Sequence, residues 1–136
     1  FTTLMVGGVF ATGLCVWLGW WFGAEHRVLM TMAPKSVTSP IAMLVAEQIG
    51  GVAALAAVFV LITGVIGAMI GPAFLSYLGV YTPEARGMAL GMTAHAVGTS
   101  VALQESEECG AFAALAMSLM GVATAVFLPL AVSLAI

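Results

Sequence analysis

Residues 52–80 read VAALAAVFVLITGVIGAMIGPAFLSYLGV, without one charged side chain. At about 1.5 Å per residue, a helix of that length more than covers the roughly 30 Å hydrocarbon core of a bilayer. The stretch therefore predicts a transmembrane helix. Gly64, Gly67 and Gly71 form a small-residue stripe within it, of the kind that lets helix backbones approach closely. Pro72 follows directly and marks a place for a kink or a change of register.

The composition agrees. Hydrophobic residues make up 62% of the chain and charged ones 7%, against about 25% charged in a soluble domain. Mean hydropathy is +1.18. Three Lys+Arg and six Asp+Glu cannot give a globule of this size a wettable surface, so a membrane must supply the apolar solvent. A net charge of −3 also leaves no cationic surface for phosphates, which excludes nucleic-acid binding. Cys15 and Cys109 are far apart and read as packing residues. His26 and His95 have no carboxylate at ligand spacing, so no metal is expected. Without a GxSxG elbow or an acid partner for His95 in its block, neither a catalytic residue nor a cofactor is expected. The chain starts at Phe1, already apolar, and reads as part of a longer protein.

Outward from the central stretch, residues 1–23 predict another transmembrane helix. It ends in Trp17, Trp20, Trp21 and Phe22, suited to anchoring at the interface. Residues 111–136 predict a third. Two further apolar blocks are interrupted, residues 28–51 by Pro34-Lys35-Ser36-Val37-Thr38-Ser39-Pro40 and residues 87–104 by His95-Ala96-Val97-Gly98-Thr99-Ser100. They align at an offset of 60 residues, with Lys35 over His95, Glu47 over Glu107 and Gly50 over Gly110. Polar residues are scarce here, so these matches predict an internal repeat. Repeat 1 is residues 28–80, a broken segment 28–51 and a transmembrane helix 52–80. Repeat 2 is residues 87–136, a broken segment 87–104 and a transmembrane helix 111–136.

Broken hydrophobic segments at matching positions point to a secondary transporter's binding site. Backbone that leaves the helix inside a bilayer is tolerated only against protein or a wet cavity. Ser39 before Pro40 reads as an N-cap, and Thr99 or Ser100 can play that part in the second repeat. Helix N-termini converging there suit a small anion. Arms of residues 28–34 and 41–49 are roughly 10–14 Å long and reach the midplane only, which fits re-entrant hairpins in inverted repeats. The alternative, broken helices that cross completely in parallel repeats, would place Arg27 and Arg86 on one face. The expected fold is an all-α integral membrane protein of broken helical hairpins plus transmembrane helices.

Ionisable groups at membrane depth are functional candidates because their burial is costly. Lys35 would be the counter-charge for a carboxylate, and His95 a hydrogen-bond donor or proton acceptor. Ser36, Thr38, Ser39, Gly98, Thr99 and Ser100 are the remaining candidate substrate-binding residues. Glu47 fits an interface position or a proton-coupling role. Glu105, Glu107 and Glu108 read as a solvated turn.

The stretch 34–42, together with Ala85-Arg86-Gly87, His95 to Ser100 and Glu107-Glu108-Cys109-Gly110-Ala111-Phe112, resembles the signatures of the LrgB/CidB family. Ala94 stands where a serine is expected and Val101 where a basic residue is frequent. The lost second cation would weaken anion binding or change substrate preference. The resemblance implies a multi-pass protein of the bacterial inner membrane, with a small LrgA/CidA-type membrane partner and a homo-oligomeric state. Members are described as antiholin-like or holin-like modulators of murein hydrolase activity and autolysis. Related proteins look like carriers of small monocarboxylates such as pyruvate, glycolate and glycerate. The paired breaks favour a carrier of a small carboxylate, because holin-type pores need only oligomerising helices.

Overall fold

The computed structural model describes residues 2–135; Phe1 and Ile136, the outer ends of two predicted helices, lie outside it. Among the described residues the chain forms six helices and no strand: α1 (Thr2–Trp21), α2 (His26–Met32), α3 (Ser39–Gln48), α4 (Ala53–Tyr77), α5 (Pro83–Glu105) and α6 (Glu107–Ala135). Three of them, α1, α4 and α6, are long and apolar enough to cross a membrane, and they fall on the three predicted spans. Exposed Leu61, Ile62, Val65, Ile66, Met69 and Ile70 clothe α4 where a soluble protein would be polar. Trp17 and Trp21 are exposed at the end of α1 with ring centroids 5.7 Å apart.

Helix α6 begins earlier than expected, and the reason is a cap. The Ser106 hydroxyl accepts the Cys109 N–H at 3.0 Å, satisfying one of the free donors of the first turn. Glu107 and Glu108 are therefore the first residues of α6 and not a separate turn. Carboxylates there complement the helix dipole.

Helix α5 does not run straight. Arg86 and Glu105 are 19 residues apart, which in a straight helix is about 28 Å. Yet Arg86 Nε lies 2.6 Å from Glu105 Oε2, and Nη2 lies 2.7 Å from Oε1. The chain doubles back at His95, whose φ of 42° and ψ of −127° leave the helical region. Complete crossing by α5 is excluded, and a hairpin is the observed form. At the tip Gly98 packs against the Leu90 carbonyl of the opposite arm, a contact with no room for a Cβ.

The same arginine fastens the hairpin's mouth to α4. Arg86 donates to the carbonyls of Pro72 (3.2 Å) and Val80 (3.0 Å) and to the Ser76 hydroxyl (3.2 Å). Glu105 is exposed, as expected of a solvated residue, but it ends α5 instead of lying in a turn, and its carboxylate is the second half of a bidentate clamp. The hydrogen bonds from Arg86 hold the Glu105 carboxyl below the ordinary carboxylate range. A carboxyl depressed in the folded state stabilises fully above its unfolded value, about 4.3 for Glu. That contribution is lost as pH falls through the folded-state value. Thermal melts in detergent should therefore show a component lost only below about pH 4. Glu105→Gln is expected to lower the melting temperature at pH 7 and to remove that acid component. Superimposable pH profiles for variant and wild type would show that the clamp contributes nothing.

The first broken segment folds back as well. The Thr31 hydroxyl donates to the Arg27 carbonyl at 2.7 Å and accepts the Val52 N–H, 21 residues on, at 2.9 Å. The α2–α3 hairpin therefore opens toward the N-terminal end of α4, whereas α5 opens toward its C-terminal end. Their breaks meet partway along α4. Val37 from the first packs with Val60, Ala56, Ala42 and Ala46, and His95 from the second bonds to the Val60 carbonyl. The glycine stripe of α4 makes this possible: added Cβ atoms on Gly64, Gly67 and Gly71 would meet His95, Ala94 and Leu90 in turn.

Candidate functional site

His95 is 3% exposed, with Nε2 3.0 Å from the Val60 carbonyl oxygen. That oxygen can only accept, so Nε2 carries the hydrogen. A Cβ on Gly64 would lie 2.6 Å from His95 Cε1, so the bare glycine forms the seat for the ring. Among the described residues His95 is the only non-glycine with positive φ, a conformation that costs on the order of 1–3 kcal/mol. Two contacts hold it: the ring on α4, and the Thr99 hydroxyl donating to the His95 carbonyl at 2.8 Å.

Lys35 is placed differently. It is half-buried, and its Nζ has a single hydrogen bond, 3.4 Å from Ser36 Oγ. The one ion pair among the described residues joins Arg86 to Glu105, so no carboxylate neutralises Lys35. Lys35 and Ser36 line a groove of about 740 Å³ between α1, the first break and the first arm of α5. Cys15 from α1 and Met92 and Thr93 from α5 share its wall. A second groove of about 520 Å³, between α1 and α6, has no charged lining residue.

The other candidates divide. Thr38 is the N-cap residue of α3 but makes no side-chain cap hydrogen bond, and Ser39 is already the first helical residue. The expected Ser39 cap is thus displaced by one position, and Pro40 still lies in the first turn. Thr99 and Ser100 are not caps either. The second arm of α5 starts directly after His95, so both hydroxyls turn back to carbonyls, Ser100 to Val97 at 2.7 Å. Gly98 is a packing position. Ala94 is fully buried against Gly67, so its departure from serine alters helix packing and not the groove.

Sequence reasoning passed over Thr93, Met92 and Cys15 as groove residues, and Thr31 and Arg86 as fastenings. A signal existed for Thr93, a hydroxyl two residues before the break in an otherwise apolar run. None existed for the Arg86–Glu105 pairing, which only the fold brings together.

Three long apolar helices with two broken hairpins closing on the middle one define a polytopic, all-helical membrane protein. The chain belongs to the LrgB-like family, which it matches over residues 1–134. It is similar to the uncharacterized protein YxaC of Bacillus subtilis, 40% identical over 111 residues, which are 82% of this chain and 48% of the relative. It is also similar to the holin-like protein CidB of Staphylococcus epidermidis, 33% identical over 113 residues, 83% of this chain and 49% of that one. An uncharacterized protein of Haemophilus influenzae is 32% identical over 129 residues, 95% of this chain and 52% of the relative. The chain spans about half the length of these relatives. No solved structure matches it.

Proposed function

We propose that this chain carries the substrate site of a secondary carrier for small monocarboxylates, working by alternating access in a bacterial cell membrane and catalysing no reaction. The observation that carries the reading is Lys35: a half-buried cation without a carboxylate partner among the described residues, in a groove whose other lining is mostly apolar. Such a charge is costly to keep uncompensated, and a substrate carboxylate would compensate it. The meeting of two oppositely opening hairpins on α4 supports alternating access, because irregular backbone inside a bilayer needs a cavity or protein partners. The offset of 60 residues between the breaks supports an inverted repeat. Thr31 against Gly51 and Gly91 against Ala113 are contacts at nearly corresponding positions. A homo-oligomer and a small LrgA/CidA-type membrane partner belong to the same reading.

The name of the CidB relative favours a second reading, a holin-like pore or lysis regulator without a substrate site. Pyruvate counterflow in proteoliposomes of the full-length protein, with a trapped dye and with or without the small partner, separates the two. Saturable counterflow with retained dye is the expected result. Dye leakage without counterflow would leave the pore reading.

A further inference from the structure

The two hairpins reach α4 from opposite ends but are fastened to it unequally. In the second, Arg86 ties the mouth to Glu105 and to the Pro72 and Val80 carbonyls, and His95 ties the tip to Val60. Its backbone is also locked against α6: Gly87 and Gly91 lie on the Cys109 and Ala113 carbonyls, with no room for a Cβ. The first hairpin has one hydrogen bond to the rest of the chain among the described residues, from the Val52 N–H to the Thr31 hydroxyl. Thr31 is fully buried and takes up a free donor at the start of α4, where Val52 makes no side-chain cap. The close backbone approach of Gly51 to Thr31 belongs to the same joint. Apolar side chains make the other packing of this hairpin, Val37, Ala42 and Ala46 on Ala56 and Val60, and Val45 and Ile49 beside Leu128 and Val132.

Lipid tails are as apolar as these side chains, so polar bonds and close backbone packing are what fasten helices in a bilayer. We infer that the first hairpin is the moving gate of the Lys35 groove, released at the Thr31–Val52 latch, while the second hairpin stays fixed on α4 and α6. This rests on the carrier reading above. The groove has walls on both sides of that division: Met32, Lys35 and Ser36 come from α2 and the first break, Met92 and Thr93 from α5. Movement of one wall against the other opens and closes the groove around Lys35. Gly50 and Gly51 connect α3 to α4. Gly50 has a φ of 86° and open space where a Cβ would stand, so this connection can take up the change in backbone angle.

Hydrogen–deuterium exchange of the full-length protein in lipid nanodiscs tests the division without any substrate. Amides of residues 26–52 are expected to exchange at least about tenfold faster than those of residues 83–105. Thr31→Val should quicken the first segment roughly fivefold more, the effect of one hydrogen bond, and leave the second unchanged. Thr31→Ser, which keeps the hydroxyl, should restore the wild-type rate. Equal exchange of the two hairpins in the wild type, or equal acceleration of both by Thr31→Val, would overturn the inference. Should Thr31→Val fail to fold, the wild-type pattern decides. The link to transport is tested with the double variant Thr31→Cys, Val52→Cys, whose disulfide would hold the latch shut. Oxidation should stop its pyruvate counterflow and reduction restore it, with the wild type oxidised alongside. Undiminished counterflow in fully oxidised protein would sink the gate and leave the carrier reading intact. Absence of counterflow in the wild type would overturn the carrier reading and, with it, the gate as a step in transport.

Discussion

Lys35→Gln is expected to raise the half-saturating pyruvate concentration by about 10- to 100-fold, with the trapped dye still retained. The magnitude follows from what is removed. A charge-assisted hydrogen bond to a carboxylate is worth about 1.5–3 kcal/mol, and each 1.4 kcal/mol is a factor of ten in affinity. Glutamine keeps much of the side chain's length and its ability to donate, so the groove wall is conserved while the charge is lost. No ion pair is broken, because Lys35 has none among the described residues, so the fold should be unaffected. His95→Ala makes the useful contrast. Its Nε2–H is already committed to the Val60 carbonyl, so its loss should loosen the hairpin tip and lower the maximal rate more than it changes half-saturation. Unchanged half-saturation in folded Lys35→Gln would remove Lys35 from the site.

The contrast between these two residues also shows what the sequence could and could not reveal. Both were found by one argument, an ionisable group inside an apolar block, and both do sit at the breaks. Their side chains nevertheless do different things. His95 turns onto α4 because its backbone is bent to φ 42° and Gly64 leaves room for the ring. Lys35 lies in a short connection between α2 and α3 and lines the groove. Spacing alone carries no such direction. The spans were legible because composition and length decide them. The glycine stripe was legible because its only use is close approach, and α5 does make it. The expected caps at Thr99 and Ser100 failed because the bend occupies a single residue. The second arm is therefore already helical when the chain reaches those hydroxyls. Arg86 with Glu105, and Thr31 with Val52, are pairings across folded-back chain, invisible before the fold is known.

Gly98→Val is expected to prevent the α5 hairpin from closing, so that little or no monodisperse protein survives solubilisation. Any side chain at this position must enter the space held by the Leu90 carbonyl, and its first carbon would also lie 2.7 Å from the Ala94 Cβ. Overpacking against flexible side chains usually costs about 1–3 kcal/mol, because they can move aside. Here the obstacle is backbone of the opposite arm. That arm is pinned at its far end by Arg86 and at the tip by the His95 ring in its glycine seat, so the cost should reach or exceed the top of that range. Gly13→Val is the control, since nothing lies within 4 Å of a Cβ built there, and it should purify like the wild type. If Gly98 instead served the substrate through its N–H group, Gly98→Val would fold normally and lose only binding. Size-exclusion profiles and thermal melts of the two variants in detergent distinguish these outcomes. A Gly98→Val protein as stable as Gly13→Val would mean that the arms of α5 do not pack as closely as the structure has them.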